Sequence, residues 1–337
     1  MTAARVPAPI GIPLGDVNGI GPEVALKAVG DFPWPASRRF ALVGPTGALR
    51  AQAMRLRRPL PPAWAPGLPF PPGQIALWDT GGDARLRWTP GCVSAAAARA
   101  AIGALRAATD AARRGQLSAL VTAPICKEGL QRAGLDAPGH TELLAAWTRA
   151  RRYAMLLEGG GLRVALVTRH LPLRRVADAV TRAAVRETLR LAAEALPWLG
   201  CPRGRIAVCG LNPHAGDGGA IGDEERAVVA PEIRAARRRG IPVEGPVPAD
   251  VVFHQALQGR YDLVVALYHD QGLGPLKTVG FDEGVNITLG LPIVRTSPDH
   301  GTAFDIAGRG IADPRSMVAA IRRAAELSSR PNPWRAP

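Results

Sequence analysis

Histidine is scarce in this chain, and the places where it occurs suggest chemistry. The sequence has six histidines in 337 residues. Four of them come just after predicted strands or in the loops that follow: His140, His170, His214 and His269. Ligands of open α/β sheets collect at the carboxyl ends of the strands. A structural role explains any one histidine well, but scattered structural histidines have no reason to gather at one edge of a sheet.

Three of these histidines form a candidate metal site. Neutral imidazoles from separate strands, with one coordination position left open, are typical of catalytic divalent-metal sites. We therefore predict His170, His214 and His269 as ligands of a divalent metal, with zinc, magnesium, manganese, cobalt and nickel as the candidates. The ligands are far apart in the sequence, so the prediction depends on the fold bringing three strand ends together.

A second candidate site involves polar residues within apolar sequence. Asn286 and Arg295 interrupt the stretch GVNITLGLPIVRTSPDHG, and Lys277 lies shortly before it. An arginine in such a place usually pairs with a carboxylate or a phosphate, because its planar fork matches both anions. An acidic or phosphorylated small substrate would also suit the net charge of +14. Solvent-facing side chains are the alternative for the lysine and the arginine.

Two glycine-rich segments bear on nucleotide binding. The segment GDVNGIGPE has Gly19 and Gly21, but Val24 occupies the third glycine position of a Rossmann fingerprint. The chain has no P-loop of the GxxxxGKS or GxxxxGKT type either. In the loop 210–225, glycines would let backbone N–H groups approach an anion or a cofactor, with a long flexible turn as the alternative.

A layered α/β fold is needed to position these residues. Apolar runs alternate with helical stretches, which indicates a mostly parallel sheet covered by helices. The predicted strands are 9–14, 39–44, 74–78, 117–122, 163–168, 205–210 and 262–268. The predicted helices are 22–30, 94–114, 141–149, 175–197, 223–239 and 315–328. The proline-rich stretch 59–73 is predicted as a surface loop.

The composition disfavours nucleic-acid and membrane partners. Arginine is dispersed through helical stretches without a basic tail, and aromatic residues make up only 5% of the chain. No apolar run approaches the ~20 residues of a membrane span, and residues 1–14 lack a signal-peptide pattern. The four cysteines show no paired spacing, which favours reduced thiols. We therefore expect a soluble cytoplasmic protein that binds neither nucleic acid nor membrane.

The motifs of the chain resemble one enzyme family in order, from about residue 11 to residue 328. They are GDVNGIGPE, TAPICK, PGHTE, VTRHLPL, NPHAGDGGAIGDEE, YHDQGLGPLK and VNITLGLPIVRTSPDHGTAFDIAG. Together they resemble the 4-hydroxythreonine-4-phosphate dehydrogenase family of vitamin B6 biosynthesis. The last motif also resembles the NAD-holding loop of isopropylmalate dehydrogenases. The resemblance implies an isopropylmalate dehydrogenase-like α/β fold, with two α/β domains, mostly parallel sheets and a cleft between the domains.

The resemblance further implies a domain arrangement and an assembly. Residues 1–128 plus 276–337 would form a dinucleotide-binding domain, and residues 129–275 a metal and dimerisation domain. Members of the family are homodimers whose active site lies at the interface, with metal ligands from both subunits.

Individual residues match functional positions of the family. The three predicted metal ligands coincide with the family's own. The positions that match substrate contacts are His140, Thr141, Lys277, Asn286 and Arg295. The positions in the loop for NAD or NADP are His300, Gly301, Thr302, Asp305, Gly308 and Asp313. The candidates for the catalytic base are Asp270 and Lys127.

The implied reaction is a metal-dependent oxidation linked to NAD or NADP. It converts 4-phosphohydroxy-L-threonine to 2-amino-3-oxo-4-phosphooxybutanoate, and decarboxylation then gives 3-amino-2-oxopropyl phosphate for pyridoxal phosphate biosynthesis. The alternative substrate is another four-carbon acid 4-phosphate, such as D-threonate or D-erythronate 4-phosphate. Outside this class, a metal-dependent hydrolase would need the histidines but no dinucleotide loop, and a non-catalytic anion-binding protein would not need the histidines.

The chain departs from the family pattern at a few positions. Val17 and Asn18 replace a Pro-Ala pair, Cys126 stands where Asn or His is usual, and Gly274 replaces a proline. None of these changes removes a predicted ligand or anion contact, but they leave the substrate open. Retention of GHTE disfavours the family branch that acts on aromatic dihydrodiols and favours a phosphorylated substrate.

Overall fold

The computed structural model describes residues 7–81, 86–135, 139–202 and 204–335. The chain divides into two compact units, which we call the terminal unit (Met1–Ala150 with Leu291–Pro337) and the central unit (Arg151–Gly290). The domain limits predicted from the sequence lie at 128/129 and 275/276. The roles assigned there to the two domains stay predictions.

Strands and helices alternate along the described residues. The strands are β1 (Ile10–Pro13), β2 (Phe40–Gly44), β3 (Ile75–Asp79), β4 (Ala119–Val121), β5 (Ala154–Gly159), β6 (Leu162–Leu166), β7 (Ile206–Cys209), β8 (Val243–Val247), β9 (Leu263–Ala266), β10 (Val285–Leu289) and β11 (Arg295–Pro298). The helices are α1 (Gly21–Gly30), α2 (Thr46–Arg55), α3 (Ala95–Arg113), α4 (Lys127–Arg132), α5 (His140–Thr148), α6 (Val176–Ala179), α7 (Arg182–Leu199), α8 (Ala230–Arg238), α9 (Ala249–Leu257), α10 (His269–Gly280) and α11 (Arg315–Ser328).

The terminal unit contains a parallel sheet in the order β3-β2-β1-β4-β11. Strands β1, β2 and β4 are buried at every position, as expected for parallel strands that helices cover on both faces. The alanine-rich helix α3 packs against β1 and β2. It begins at Ser94, whose side chain accepts a hydrogen bond from Ala97 N at 3.4 Å and so caps the helix.

The central unit contains a mixed sheet in the order β10-β5-β6-β9-β7-β8. Strand β5 pairs antiparallel with β10 and with β6, and the remaining neighbours are parallel. Its core packs apolar side chains such as Leu157, Val164 and Leu276. Because β6, β9 and β7 are parallel neighbours, their carboxyl ends lie side by side, and each is followed by one of the predicted metal ligands.

The predicted fold class agrees with these sheets, and each predicted strand overlaps an observed one. The prediction omitted the strands β5, β8, β10 and β11 and the helices α2, α4, α9 and α10. The predicted helix 175–197 is divided into α6 and α7. Among the described residues, no helix is both long and apolar enough to cross a membrane.

Candidate active site

Two of the predicted metal ligands, His170 and His269, lie next to each other in the central unit. Their ring centroids are 5.4 Å apart and the rings are tilted by 48°. Pairing between the two chain segments continues beyond the strands, because Thr168 N and Thr168 Oγ1 both donate to Leu267 O, at 3.1 and 2.7 Å. This pairing holds the residues that follow β6 and β9 together at the carboxyl edge of the sheet.

The polar residues after β9 fasten that edge and orient one imidazole. Gln271 is buried; its Oε1 accepts from Leu267 N and its Nε2 donates to Gly210 O, each at 2.7 Å. The glutamine thereby ties the end of β9 to the end of β7. Asp270 Oδ1 lies 2.7 Å from His269 Nδ1. A carboxylate on Nδ1 favours the tautomer whose Nε2 carries the lone pair, which is the form that ligates metal.

His214 lies in the glycine-rich loop after β7, and this loop has a left-handed backbone. The angle φ is 54° at His214 and 42° at Asp217. Such values are unfavourable for residues other than glycine, so surrounding contacts must hold them. Glu225 supplies such contacts, because its Oε1 accepts from Leu211 N and from Asn212 N, each at 2.7 Å. These bonds favour an ordered loop over the long flexible turn considered as an alternative above.

The three predicted ligands do not make a complete metal site within one chain. Among the described residues, no group of three or more His, Cys, Asp or Glu side chains is placed to hold a metal ion. His170 and His269 form a pair, and His214 lies outside it with an exposed side chain. A tetrahedral site built on this pair would need further ligands from outside the single chain or from a movement of the loop.

Two of the predicted substrate contacts belong to the central unit. Lys277 lies on α10, about two turns after His269, with its Nζ 5.7 Å from the ring centroid of Phe281. Asn286 is buried on β10, and its Oδ1 has no hydrogen-bond partner in the described part of the chain. Because a buried amide oxygen without a partner is unfavourable, a donor supplied by a ligand would stabilise it.

Arg295 is a buried cation in the terminal unit. It is 3% exposed, and its Nε and Nη2 donate to Thr122 Oγ1 at 3.2 and 2.8 Å. Burial lowers the pKa of Arg295 to about 10, with the charge of Glu142 acting in the opposite direction. The guanidinium therefore stays charged at neutral pH, and its burial away from water strengthens its attraction for an anion.

His140 and Thr141 begin helix α5 in the same unit. Burial, and then the charge of Arg295, lower the pKa of His140 to about 3. The imidazole is therefore neutral at physiological pH, with one nitrogen as donor and the other as acceptor. Thr141 is buried as well. A charged guanidinium with a neutral imidazole and a hydroxyl is a donor set that suits a phosphate group.

The predicted dinucleotide loop, residues 300–313, contains no helix or strand, and all of it lies within the described ranges. Its first part packs on the start of α1, where Ile20 N donates to Thr302 O at 2.9 Å. A Cβ on Gly19 would lie only 2.7 Å from that oxygen, so glycine is needed there for the close approach. His300 Nε2 is buried and has no partner among the described residues.

The second part of the loop is fixed by contacts that the sequence did not reveal. Gly308 is buried with φ at 73°, and a Cβ there would meet Pro90 at 2.7 Å. Asp313 accepts hydrogen bonds from Arg315 N and Arg315 Nε at 2.9 and 2.7 Å, and these bonds lower the pKa of Asp313. Of the remaining predicted positions, Gly301 and Asp305 are exposed.

The two candidate bases are both exposed and belong to different units. Lys127 begins α4 in the terminal unit, where Cys126 Sγ caps the helix by accepting from Gly129 N at 3.4 Å. Asp270 lies in the central unit and contacts His269. Only the aspartate therefore contacts a predicted metal ligand among the interactions described.

One buried acid, Asp16, was not predicted from the sequence as a site residue. Asp16 follows β1 and is 1% exposed; its Oδ1 accepts from Asn18 N at 3.0 Å. Burial raises the pKa of Asp16 to about 6, with the hydrogen bond from Asn18 acting in the opposite direction. Its Oδ2 has no partner among the described residues. The signal was available in the sequence, because an acid directly after a strand end obeys the same rule as the histidines.

Comparison with known proteins identifies close relatives over nearly the whole chain. The model of the family described as pyridoxal phosphate biosynthetic protein PdxA matches residues 46–324. A 4-hydroxythreonine-4-phosphate dehydrogenase from Methylorubrum populi is 44% identical over 345 residues, which cover 96% of this chain and 95% of the relative. A D-threonate 4-phosphate dehydrogenase from Pectobacterium atrosepticum is 42% identical over 330 residues, which cover 95% and 99%.

Solved structures give the same result for the fold. The crystal structure of a 4-hydroxythreonine-4-phosphate dehydrogenase from Klebsiella pneumoniae matches with a TM-score of 0.85 and 41% identity, covering 95% of this chain and 99% of that chain. An isocitrate dehydrogenase from Methylococcus capsulatus matches with a TM-score of 0.50 at 15% identity, covering 95% and 85%, and this match bears on the fold alone. The predicted fold class is confirmed.

Proposed function

The chain belongs to the PdxA family, and from this membership we propose that it oxidises 4-phosphohydroxy-L-threonine with NAD or NADP as hydride acceptor. Its relatives are dehydrogenases over nearly their full length, so the chain is an oxidoreductase that acts on a hydroxyl group. Within the molecule, the observation that carries the proposal is the pair of imidazoles, His170 and His269, with ring centroids 5.4 Å apart.

A divalent metal on His170, His214 and His269 is part of the proposal. The donor set supports it, because two imidazoles lie side by side and Asp270 contacts Nδ1 of one of them. When bound, such a metal polarises the substrate hydroxyl and lowers its pKa toward neutrality. Zinc, magnesium, manganese, cobalt and nickel stay candidates, since imidazole alone does not select among them.

The phosphate of the substrate is proposed to bind through cationic and neutral donors. Arg295 is buried and charged, and Thr122 fixes the orientation of its guanidinium. His140 is neutral, so it offers a hydrogen bond without adding a second buried charge. Thr141, Lys277 and Asn286 complete the proposed set of substrate contacts. The unpartnered Asn286 Oδ1 suits a donor such as the substrate amine or a hydroxyl.

The proposed chemistry removes a proton from the substrate hydroxyl and a hydride from the carbon that carries this hydroxyl. Asp270 or Lys127 takes the hydroxyl proton, and its contact with His269 favours Asp270. Residues of the loop 300–313 would hold NAD or NADP, whose nicotinamide would supply the hydride acceptor. The product, 2-amino-3-oxo-4-phosphooxybutanoate, is a β-keto acid. When the bond to the carboxylate breaks, carbon dioxide leaves, the carbon that carried it takes up a proton, and the product is 3-amino-2-oxopropyl phosphate.

A homodimer with shared active sites is also proposed. Large apolar side chains are exposed close in sequence to His170 and His214: Leu171 is 45% exposed, Leu173 73% and Ile221 39%. Exposed apolar groups beside an incomplete ligand set support the idea that a second copy covers them and supplies the missing ligand.

The four cysteines are free thiols, which supports the expected cytoplasmic location.

D-Threonate 4-phosphate is a second candidate substrate. The relative from Pectobacterium atrosepticum that carries this activity in its name is almost as similar to the chain as the threonine-type enzymes, with 42% against 44% identity. The two substrates share the phosphate and the oxidised hydroxyl and differ at the neighbouring carbon. The phosphate contacts proposed above therefore serve both.

A direct assay tests the proposal. NADH and NADPH formation would be followed with 4-phosphohydroxy-L-threonine, D-threonate 4-phosphate and D-erythronate 4-phosphate, before and after removal of metal by a chelator. We expect turnover of the first substrate, its loss after chelation, and its return when a divalent metal is added.

Three outcomes would change the proposal. Faster turnover of a sugar-acid phosphate would move the activity to the alternative substrate. Full activity after exhaustive chelation would show that the reaction does not need a metal. Phosphate release without reduction of NAD or NADP would point to a metal-dependent hydrolase instead.

A further inference from the structure

A buried ion pair on helix α1 contacts the backbone of the predicted dinucleotide loop. Glu23 and Lys27 lie one turn apart on the helix, with Lys27 Nζ 2.8 Å from Glu23 Oε1. The side chain of Glu23 is 1% exposed and that of Lys27 15% exposed. Such a pair is too enclosed to act as an ordinary surface salt bridge, and every polar atom in it needs a partner.

The loop supplies those partners through the backbone groups of Gly310 and Ala312. Lys27 Nζ donates to Gly310 O at 2.9 Å and to Ala312 O at 2.8 Å, so all three of its N–H groups have acceptors. Glu23 accepts from Ala312 N at 2.7 Å and from Gly310 N at 3.2 Å. The carboxylate thus binds both N–H groups and the ammonium both carbonyls, as a neighbouring strand would do.

This arrangement replaces secondary structure that the loop lacks. Residues 300–313 contain no helix or strand; turns within residues 303–309 pair some of their backbone groups, and the others need partners elsewhere. The first part of the loop is held by Ile20, which lies directly before α1 and whose N–H donates to Thr302 O. Helix α1 therefore fixes both parts of the loop, once through its backbone and once through two charged side chains.

We infer that Glu23 and Lys27 are positioning residues that hold the second part of the loop in the conformation that binds the dinucleotide. This inference rests on the proposed function, because it takes the loop 300–313 as the NAD or NADP site. A loop that is already ordered loses less conformational freedom when the cofactor binds, so the cofactor binds more tightly. Neither side chain needs to contact the cofactor.

A purely structural ion pair would have different consequences. Its removal would lower the stability of the chain and the amount of active enzyme, without changing KM for either substrate. A positioning role predicts a selective effect: KM for the dinucleotide rises, while KM for the phosphorylated substrate, whose proposed contacts lie outside the loop 300–313, stays nearly constant. The ratio of the two KM values therefore separates the two roles.

The experiment uses the full-length enzyme and two variants. Lys27→Met removes the charge and all three donors while keeping the length of the side chain. It leaves Glu23 buried without its cation, which endangers folding. The double variant Glu23→Gln with Lys27→Met leaves no unpaired charge and serves as the second test. KM for NAD or NADP, KM for the phosphorylated substrate, kcat and amide hydrogen exchange of residues 301–313 are measured on each.

A control removes an ion pair with the same N···O distance elsewhere, in which the carboxylate is buried but the arginine is 53% exposed. Arg186 Nε lies 2.8 Å from Glu232 Oε2 in the central unit, and Glu232 is 6% exposed. The double variant Arg186→Met with Glu232→Gln deletes this pair with the same chemistry and does not touch the loop. Its KM for the dinucleotide should equal that of the wild-type enzyme.

The expected result is a rise of about tenfold in KM for the dinucleotide in the Glu23/Lys27 double variant, with faster exchange at the Gly310 and Ala312 amides. KM for the phosphorylated substrate should change less than twofold by the same reasoning. A folded double variant with an unchanged KM for the dinucleotide, or with equal rises in both KM values, would overturn the inference. Failure of the wild-type enzyme to use any dinucleotide would instead overturn the proposed function.

Discussion

Burial sets the charge of individual side chains in this molecule, and Arg295 and His140 show the two possible outcomes. Both are desolvated, and desolvation lowers the pKa of each. The guanidinium starts from so high a pKa that it stays charged, whereas the imidazole becomes neutral throughout the physiological range. One buried cation with a neutral neighbour avoids the repulsion that two buried cations would cause.

Replacing Arg295 by lysine tests the anion contact. We expect Arg295→Lys to raise KM for the phosphorylated substrate at least tenfold, with a smaller change in kcat. Lysine keeps the charge but lacks the planar guanidinium. In the wild-type chain the guanidinium bonds Thr122 Oγ1, and we propose that it also bonds the phosphate. Steady-state kinetics gives both constants, and Arg106→Lys, at an exposed pair with Asp110, is the control. An unchanged KM would show that Arg295 does not bind the anion.

His140 should make stability depend on pH in a predictable direction. Its folded-state pKa of about 3 lies below the ordinary 6.5, so between these values the unfolded chain binds a proton that the folded chain excludes. The contribution of His140 is therefore complete above pH 6.5 and declines as the pH falls toward 3. Between pH 7 and 5 this decline amounts to at most about 2 kcal/mol, since the side chain keeps some solvent contact.

The measurement is urea unfolding of the wild-type protein and of His140→Gln at pH 7 and pH 5. Glutamine keeps a donor and an acceptor but does not titrate, so the variant should lose less stability over this interval. His254→Gln, at an exposed position on α9, is the matched control and should behave like the wild-type protein. Equal losses in wild type and His140→Gln would contradict the predicted protonation state.

At the scale of elements, the sequence predicted strands and helices that follow from local residue patterns. It missed elements, such as α10, that depend on tertiary contacts. The predicted strands are short apolar runs bounded by polar residues, and such runs are recognisable without tertiary information. Helix α10 was missed because Gly272, Gly274 and Pro275 disfavour helix; burial of Leu273 and Leu276 stabilises it instead.

The candidate site was predictable to the same extent. The proximity of His170 and His269 could be predicted, because parallel strands end at the same edge of a sheet, while the role of the histidines as metal ligands stays a prediction. The bonds that support the site could not, since Arg295 reaches Thr122 across 173 residues and Glu23 reaches Ala312 across 289 residues. No periodicity or propensity records such a pairing, which exists only after the chain has folded.

The glycine-rich loop should depend on Glu225. We expect Glu225→Gln to weaken the loop and to lower the bound metal and kcat several-fold, because the neutral amide accepts from Leu211 N and Asn212 N less strongly than a carboxylate. Amide exchange of residues 210–222, metal content and kcat are the measurements. Glu224→Gln is the control, since the carboxylate of Glu224 accepts from the side chain of Asn212 and from the backbone of Asp223, whereas Glu225 accepts from Leu211 N and Asn212 N. Equal effects of the two variants would show that Glu225 has no special role.

At the scale of the whole molecule, the positions of the three predicted ligands bear on the proposed homodimer. His170 and His269 are adjacent, His214 lies apart from them, and the described residues contain no complete cluster. If a proposed second copy supplies His214, each active site combines the histidine pair of one chain with His214 of the other. In a shared site of this kind, two inactive variants can restore activity when they form a dimer together, because each supplies the ligand that the other lacks. A site built within a single chain does not allow this.

Mixing two inactive variants tests this arrangement. His214→Ala and His269→Ala should each be inactive alone, since each loses one ligand of every site. After unfolding and refolding together in equal amounts, half of the dimers contain one chain of each kind, and one of their two sites combines an intact pair with an intact His214. Activity should therefore return to about a quarter of the wild-type value. A mixture of His170→Ala with His269→Ala is the control: both defects lie in the pair, no intact pair can form, and no activity should return. Absence of recovery in the first mixture, with mixed dimers present, would place all three ligands of a site in one chain.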